Sequence, residues 1–243
     1  MARINFNDIE TRIEEKKNFA SGNFKRINGF FLKDKESSYV KVLLDDIKDV
    51  EVHSVHLVKI KTRTGKDFTI HVDCLGNNCP LCEEAKNHTE EMYPVVSKAR
   101  DMVYVPLLTF VNYKGEEEIG FSVLGRSTSW AQSDFFPDMA RYGITENFEI
   151  QRTGSGTGTT YRFYPARQLP SGKPFPDVDM KQVYADLNIE LPADIYGRSD
   201  SYVRSWDVEQ MEEYIETGAF PKTKANENEV ADEVTPRTTN HGF

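Results

Sequence analysis

"EVHSVHLVKIKTRTGKDFTIHVDCLGNNCPLC", residues 51–82, decides the fold class. In its first part Val and Ile alternate with polar residues, the period of a strand with one buried face. "TRTGKD" (62–67) has the composition of a hairpin tip, and "DFTIHV" (67–72) takes up the alternation again. The stretch therefore predicts an antiparallel hairpin that runs directly into a cysteine cluster. All three cysteines of the chain, Cys74, Cys79 and Cys82, fall within nine positions. An odd, clustered set of thiols suits thiolate chemistry in a reducing compartment better than a disulfide framework.

Further strands lie to either side. "YVKVLL" (39–44) precedes the hairpin; "MVYVPLLTFV" (102–111) and "EIGFSVLG" (118–125) follow, joined by the turn "NYKGEE". "NFEIQR" (147–152) and "TYRFYPAR" (160–167) are separated by the Gly-rich "TGSGTGT". Helical patterns are expected at 8–18, at 83–101, through 130–143 with Ser127 or Ser129 as its cap, at 177–187, and at 205–218 between a Ser cap and a terminal Gly. "SGNFKRINGFFLKDKESS" (21–38) has the Gly, Asn and Ser content of an irregular arm, and "PKTKANENEVADEVTPRTTNHGF" has too few large apolar residues to order itself. Short strands at hairpin spacing, with helices interspersed rather than alternating, predict a mainly β fold with helical additions, a small antiparallel barrel or sandwich. A Rossmann fold or a β/α barrel is disfavoured.

The 243 residues carry a formal net charge of -9. That argues against a uniformly basic coat for duplex DNA and against a polybasic membrane anchor, so any nucleic-acid contact must be local. The N-terminal stretch lacks the apolar core of a signal peptide and no window approaches about 18 continuous apolar residues, so a cytoplasmic protein with no membrane contact is expected.

Cys79 and Cys82 form C-x-x-C in a turn restricted by Pro80, a spacing at which both thiolates reach one metal ion. With Cys74 as a third donor, a tetrahedral zinc site needs one more ligand, and His53, His56, His71 and His88 compete for the place. Local spacing favours His71. Residues three apart on a strand point to opposite faces, however, whereas His56, on the preceding strand, can reach across. Three thiolates and one imidazole close the coordination shell, which predicts a structural ion. Buried reduced cysteines are the plainer alternative. A thioredoxin-like pair lacks its βαβ setting, and "HTE" (88–90) follows the cysteines, where a zinc deaminase has it before them.

"RTGSGTGTTYRFYP" (152–165) lacks the P-loop lysine and leads into a strand, so it reads as a hairpin and not as a phosphate loop. In that strand Tyr161 and Phe163 share one face, Arg162 and Tyr164 the other. Such faces stack bases of single strands, at roughly 1 to 3 kcal/mol per base, unless one of them is core. The pattern recurs: Lys41 inside "KVLL", Lys59 followed by Lys61 and Arg63, then Arg100, Tyr104, Phe121 and Arg126. Basic and aromatic residues on most strands of an acidic chain predict a localised cationic groove. With no Ser/His/Asp or paired-carboxylate constellation, a non-enzymatic protein is expected.

In this order, "YVKVLLDD", "VHLVKI" with its hairpin, "DCLGNNCPLC" and "TGSGTGTTYRFYP" resemble the phage single-stranded DNA-binding proteins of the T-even helix-destabilising type, over roughly residues 28–165. The resemblance implies an OB-fold, a five-stranded antiparallel Greek-key barrel, with a zinc-binding insertion at about 53–90. The division would be an N-terminal arm (1–27), the core with C-terminal helices (28–221) and a disordered tail (222–243). It implies one structural Zn2+ held by His56, Cys74, Cys79 and Cys82, with His71 as the alternative fourth ligand. The family's DNA-contacting positions fall on Lys41, Arg100, Tyr104, Phe121 and Tyr161, to which the strand pattern adds Lys59, Arg126 and Phe163. The implied function is to coat and protect single-stranded DNA during phage replication, recombination and repair in the host cytoplasm, with replication or recombination proteins as partners of the tail. That tail holds four acidic and three basic side chains, weaker than the family's acidic terminus. Two other readings are a zinc-stabilised interaction module of a replication complex and a zinc-dependent nucleic-acid enzyme.

Overall fold

In the computed structural model, which describes residues 27–61, 67–87, 95–111 and 117–221, the alternating stretches become strands of one mixed nine-stranded sheet. With 37% strand against 26% helix the chain is mainly β. β1 (Asn28–Gly29) and β2 (Ser37–Val42) lead to the hairpin β3 (Val52–Lys61) and β4 (Asp67–Asp73), and then to helix α1 (Pro80–Asn87). A second hairpin pairs β5 (Arg100–Val111) with β6 (Glu117–Ser127). Helix α2 follows in three contiguous parts, α at Thr128–Trp130, π at Ala131–Phe135 and α at Phe136–Tyr142. The third hairpin is β7 (Asn147–Thr153) with β8 (Thr160–Pro165), and α3 (Met180–Asp186), β9 (Val203–Arg204) and α4 (Val208–Thr217) complete the order.

β5 organises the sheet because it has three partners. One edge pairs with β6; the other pairs with β3 through Arg100–Val103 and with β2 through Leu107–Thr109. Pro106 sits at the fork between those two partners. A proline inside a central strand normally costs a ladder bond, but its missing N–H falls where the partner changes, and its carbonyl accepts from Leu43 N at 2.9 Å. Residues 102–110 are buried without a break, as in a strand covered on both faces. One face carries Val103, Val105 and Leu107, packed with Val40, Val42, Phe148, Ile150 and Phe163 beneath the α2 residues Trp130 and Phe135. On the other, Tyr104 lies under Ile195 and Val203, and Leu108 and Phe110 under Leu169, Val183 and Ile189 of the C-terminal segment.

The pairs β2–β5, β5–β6, β2–β7 and β7–β8 tie five strands together, but among the described residues no pairing joins β6 to β8. The sheet is therefore not closed. A strap crosses the gap: β1 pairs in parallel with β6, Phe30 N donates to Val123 O at 2.8 Å, and Lys35 N donates to Arg152 O at 2.9 Å on β7. The strap occupies the stretch whose Gly, Asn and Ser content predicts an irregular arm.

Two helix expectations are corrected. The helix expected over 83–101 ends at Asn87; residues 95–99 are extended, with Ser97 N donating to Leu57 O and Lys59 N to Val95 O. Pro94 disfavours helix just before it, and the β3 edge takes the chain instead. In the last helix the cap is Asp207, not Ser205: its side chain accepts from Gln210 N, the Gln210 side chain reaches back, and Gly218 (φ 64°) ends the helix in the left-handed region. The expectations for 8–18, Arg63, His88 and the tail 222–243 lie outside the described residues. Among those described, no helix is long and apolar enough to cross a membrane.

Candidate metal centre and cationic seam

The β3–β4 register brings the first two candidate ligands together. His56 pairs with Val72, so its side chain leaves the same face of the hairpin as Val72 and, two residues on, Cys74, whose N–H is held by Ser54 O at 2.8 Å. The turn after β4 reaches Cys79 through Asn78 in the left-handed region (φ 62°), and Cys79 and Cys82 flank the first turn of α1, with Cys82 N donating to Cys79 O. The ligand atoms of His56, Cys74, Cys79 and Cys82 all lie within 4.8 Å of one another. Cys74 Sγ is 3.5 Å from Cys82 Sγ, and His56 Nε2 is 3.5 Å from the sulfurs of both Cys79 and Cys82. Bonds of about 2.3 Å to sulfur and about 2.0–2.1 Å to nitrogen would put the corners of a zinc tetrahedron about 3.5–3.8 Å apart. The four residues form a cluster that could hold one metal ion.

The surroundings prepare each donor. His56 Nδ1 lies 2.8 Å from Ser97 O, and because a carbonyl only accepts, the ring proton sits on Nδ1 and leaves the Nε2 lone pair for a metal. Burial lowers the pKa of His56 and favours its neutral form, although the Ser97 carbonyl opposes the shift. Burial first, then the neighbouring Cys74 and Cys79, pushes the Cys82 thiol up to about 12, and a bound cation is what holds such a group as a thiolate. Met211 of α4 comes within 3.9 Å of Cys79 Sγ, and Tyr214 OH donates to Lys59 O at 2.7 Å, so α4 closes over the centre.

The other candidate histidines among the described residues, His71 and His53, are used elsewhere. His71 faces away from the cluster, its Nδ1 2.7 Å from the Tyr104 hydroxyl; burial, with the Arg100 charge, lowers its pKa to about 4. His53 stacks on Tyr196 at 4.0 Å between Asp73 and Glu51.

The expected DNA contacts divide. Tyr104 and Phe163 are corrections: both are fully buried, so their rings are core and present no stacking face. Tyr161 is buried as well, its ring under Arg126 and its hydroxyl accepting from Leu32 N. On this strand the period-two alternation holds and one of its two faces is core, because β8 turns Tyr161 and Phe163 onto Phe148, Ile150 and Phe30. Phe121 is half-buried against the C-terminal segment. Lys41 is half-buried and donates to Thr145 O at 2.8 Å, while Lys59 and Arg100 are exposed at other places in the sheet.

Arg126 and Tyr161 do come together, at the seam where β6 faces β8. The Arg126 guanidinium lies 4.8 Å from the Tyr161 ring centroid and donates to Thr159 O at 2.9 Å. Beside it, Arg152 lies 4.8 Å from the Phe31 ring centroid and donates to Leu32 O and Thr159 Oγ1. Among the described residues neither arginine is ion-paired with a carboxylate, whereas Arg162 and Arg198 both are. Burial and the neighbouring Arg152 charge lower the pKa of Arg126, while Tyr161 opposes the shift. Phe31 is 70% exposed. Sequence reading missed Phe30, Phe31 and Arg152; the available signal was a pair of adjacent phenylalanines in a mostly polar and charged arm.

The loop from β7 to β8 borders this seam. Its glycines are conformational: Gly154 has φ 85°, and a Cβ there would come 2.3 Å from Gly158 O. No protein-family model matches the chain, and no curated protein is significantly similar to it in sequence.

Proposed function

We propose that the chain is a non-enzymatic, sequence-tolerant single-stranded DNA-binding protein, a relative of the phage helix-destabilising proteins, in which one zinc ion is structural. The observation that carries this reading is the seam: two guanidiniums without carboxylate partners among the described residues, laid over aromatic rings on a chain of net charge -9. Cationic groups next to an exposed ring are what a flexible polyanion with stackable bases requires. At half-buried Arg162, by contrast, Asp138 accepts from Nε and Nη2.

Four pairings among β2, β5, β6, β7 and β8 support an open OB-type barrel one pairing short of closure. The metal hairpin is then an insertion between the first two barrel strands, and the 153–159 loop joins the last two, both of them loops with which such barrels hold oligonucleotides. Zinc bound by His56, Cys74, Cys79 and Cys82 would supply a cross-link between the hairpin, the turn and α1, not a reactive water, since the four protein donors saturate it.

Fluorescence polarisation with a labelled oligo-dT strand, titrated across a salt series with duplex as competitor, tests the function. Tight, sequence-tolerant binding with a steep negative salt slope is expected. Equal affinity for duplex, or no binding at low salt, would remove the proposal.

A further inference from the structure

We propose that the seam pocket is a subsite for one nucleotide unit, with its phosphate on Arg126 and Arg152 and its base on Phe31. This rests on the single-stranded DNA reading and sharpens it to a place and a stoichiometry.

The pocket measures about 330 Å³, at the small end for a ligand site, and is bounded by the strap, by β6 at Leu124–Arg126 and by Gly156 and Thr159 of the β7–β8 loop. Of the three rings that line it, Phe31 is the exposed one, whereas Phe30 is half-buried. Tyr161 is buried beneath Arg126, and Phe30 meets Tyr161 edge to face at 6.3 Å. One available ring means one stacked base. Donors for the phosphate converge beside it: among the described residues Arg152 Nε, a buried atom, has no hydrogen-bond partner, and Arg126 donates once, to Thr159 O. A buried donor without a partner is costly, and two guanidiniums side by side are each opposed by the other's charge. A phosphate between them satisfies both through charge-assisted bonds. The same chemistry could come from a strand or from a free mononucleotide.

Ligand-observed NMR with dTMP, thymidine and inorganic phosphate, together with oligo-dT titrations, is run on the full chain and on Arg126→Gln and Phe31→Ala. Melting curves check that both variants fold. Because Phe31 is exposed, Phe31→Ala keeps the test sound even if Arg126→Gln unfolds. The expected result is dTMP bound more tightly than thymidine or phosphate, displaced by oligo-dT, with each variant weakening both ligands about tenfold. If oligo-dT binds and folded Phe31→Ala and Arg126→Gln bind it as the wild type does, the subsite is wrong and the DNA reading stands. If no oligonucleotide binds, the DNA reading is wrong; dTMP retained in that case identifies a free-nucleotide site.

Discussion

His56 and His71 illustrate how one residue's register sets its chemistry. Leu57 pairs with His71, so His71 leaves the hairpin on the side opposite to His56, towards Tyr104 and away from the thiols. Its consequence can be measured. With its folded pKa held near 4 by burial and the Arg100 charge, His71 is neutral in the folded state, and the unfolded chain binds its proton first. The stability it contributes is fully present above about pH 6.5, the ordinary histidine value, and is lost as the pH falls from there towards 4. NMR titration should find the His71 ring unshifted down to about pH 5, and His71→Gln should flatten the acid limb of the stability curve; a ring titrating near 6.5 would contradict its burial. Phe163 and Phe31 form the other contrast. Phe163→Ala should cost about 3–5 kcal/mol in a denaturant melt through its cavity, and Phe31→Ala about 0.5 kcal/mol or less while weakening DNA binding. The C-P-x-C turn was legible because its spacing is local. The histidine was left open by spacing because it depends on pairing across the hairpin, and the buried Tyr161–Phe163 face was misread because alternation reports two faces without saying which is wet.

Strands of five or more residues could be read from alternation to within a few positions, since burial on one or both faces imposes their composition. β1 and β9 could not: two-residue strands have no period, and their pairing with β6 and β4 is set by where the chain enters and leaves the sheet. Nor did the sequence reveal that α4 serves the metal hairpin, because Met211 and Tyr214 act across more than a hundred residues. Asp207→Ala removes a capping box at the start of that helix and should cost about 1 kcal/mol, measurable as a lower denaturation midpoint. It should also speed the loss of a bound metal ion to a chromogenic chelator, because Met211 then covers Cys79 less of the time; an unchanged release rate would show that the centre holds itself without α4.

At the scale of the molecule, one mixed sheet carries a candidate metal hairpin and a cationic seam. The metal hairpin and α4 build a second core of Val58, Ile60, Val72, Leu81, Trp206 and Met211, separate from the one beneath α2. Removing metal should therefore loosen this second core and spare the one beneath α2: after chelation, near-ultraviolet signals of Trp206 should collapse while those of Trp130 persist. The seam lies on the β6–β8 side, where Trp130 Nε1 donates to Tyr161 O directly beneath the arginine pair. Hydrogen–deuterium exchange of the full chain with and without oligo-dT tests the account most directly. Protection is expected at 28–36, at 123–127 and at 152–161, the three segments that meet at the seam. Protection confined to other surfaces, with those three segments exchanging as in the free protein, would contradict it.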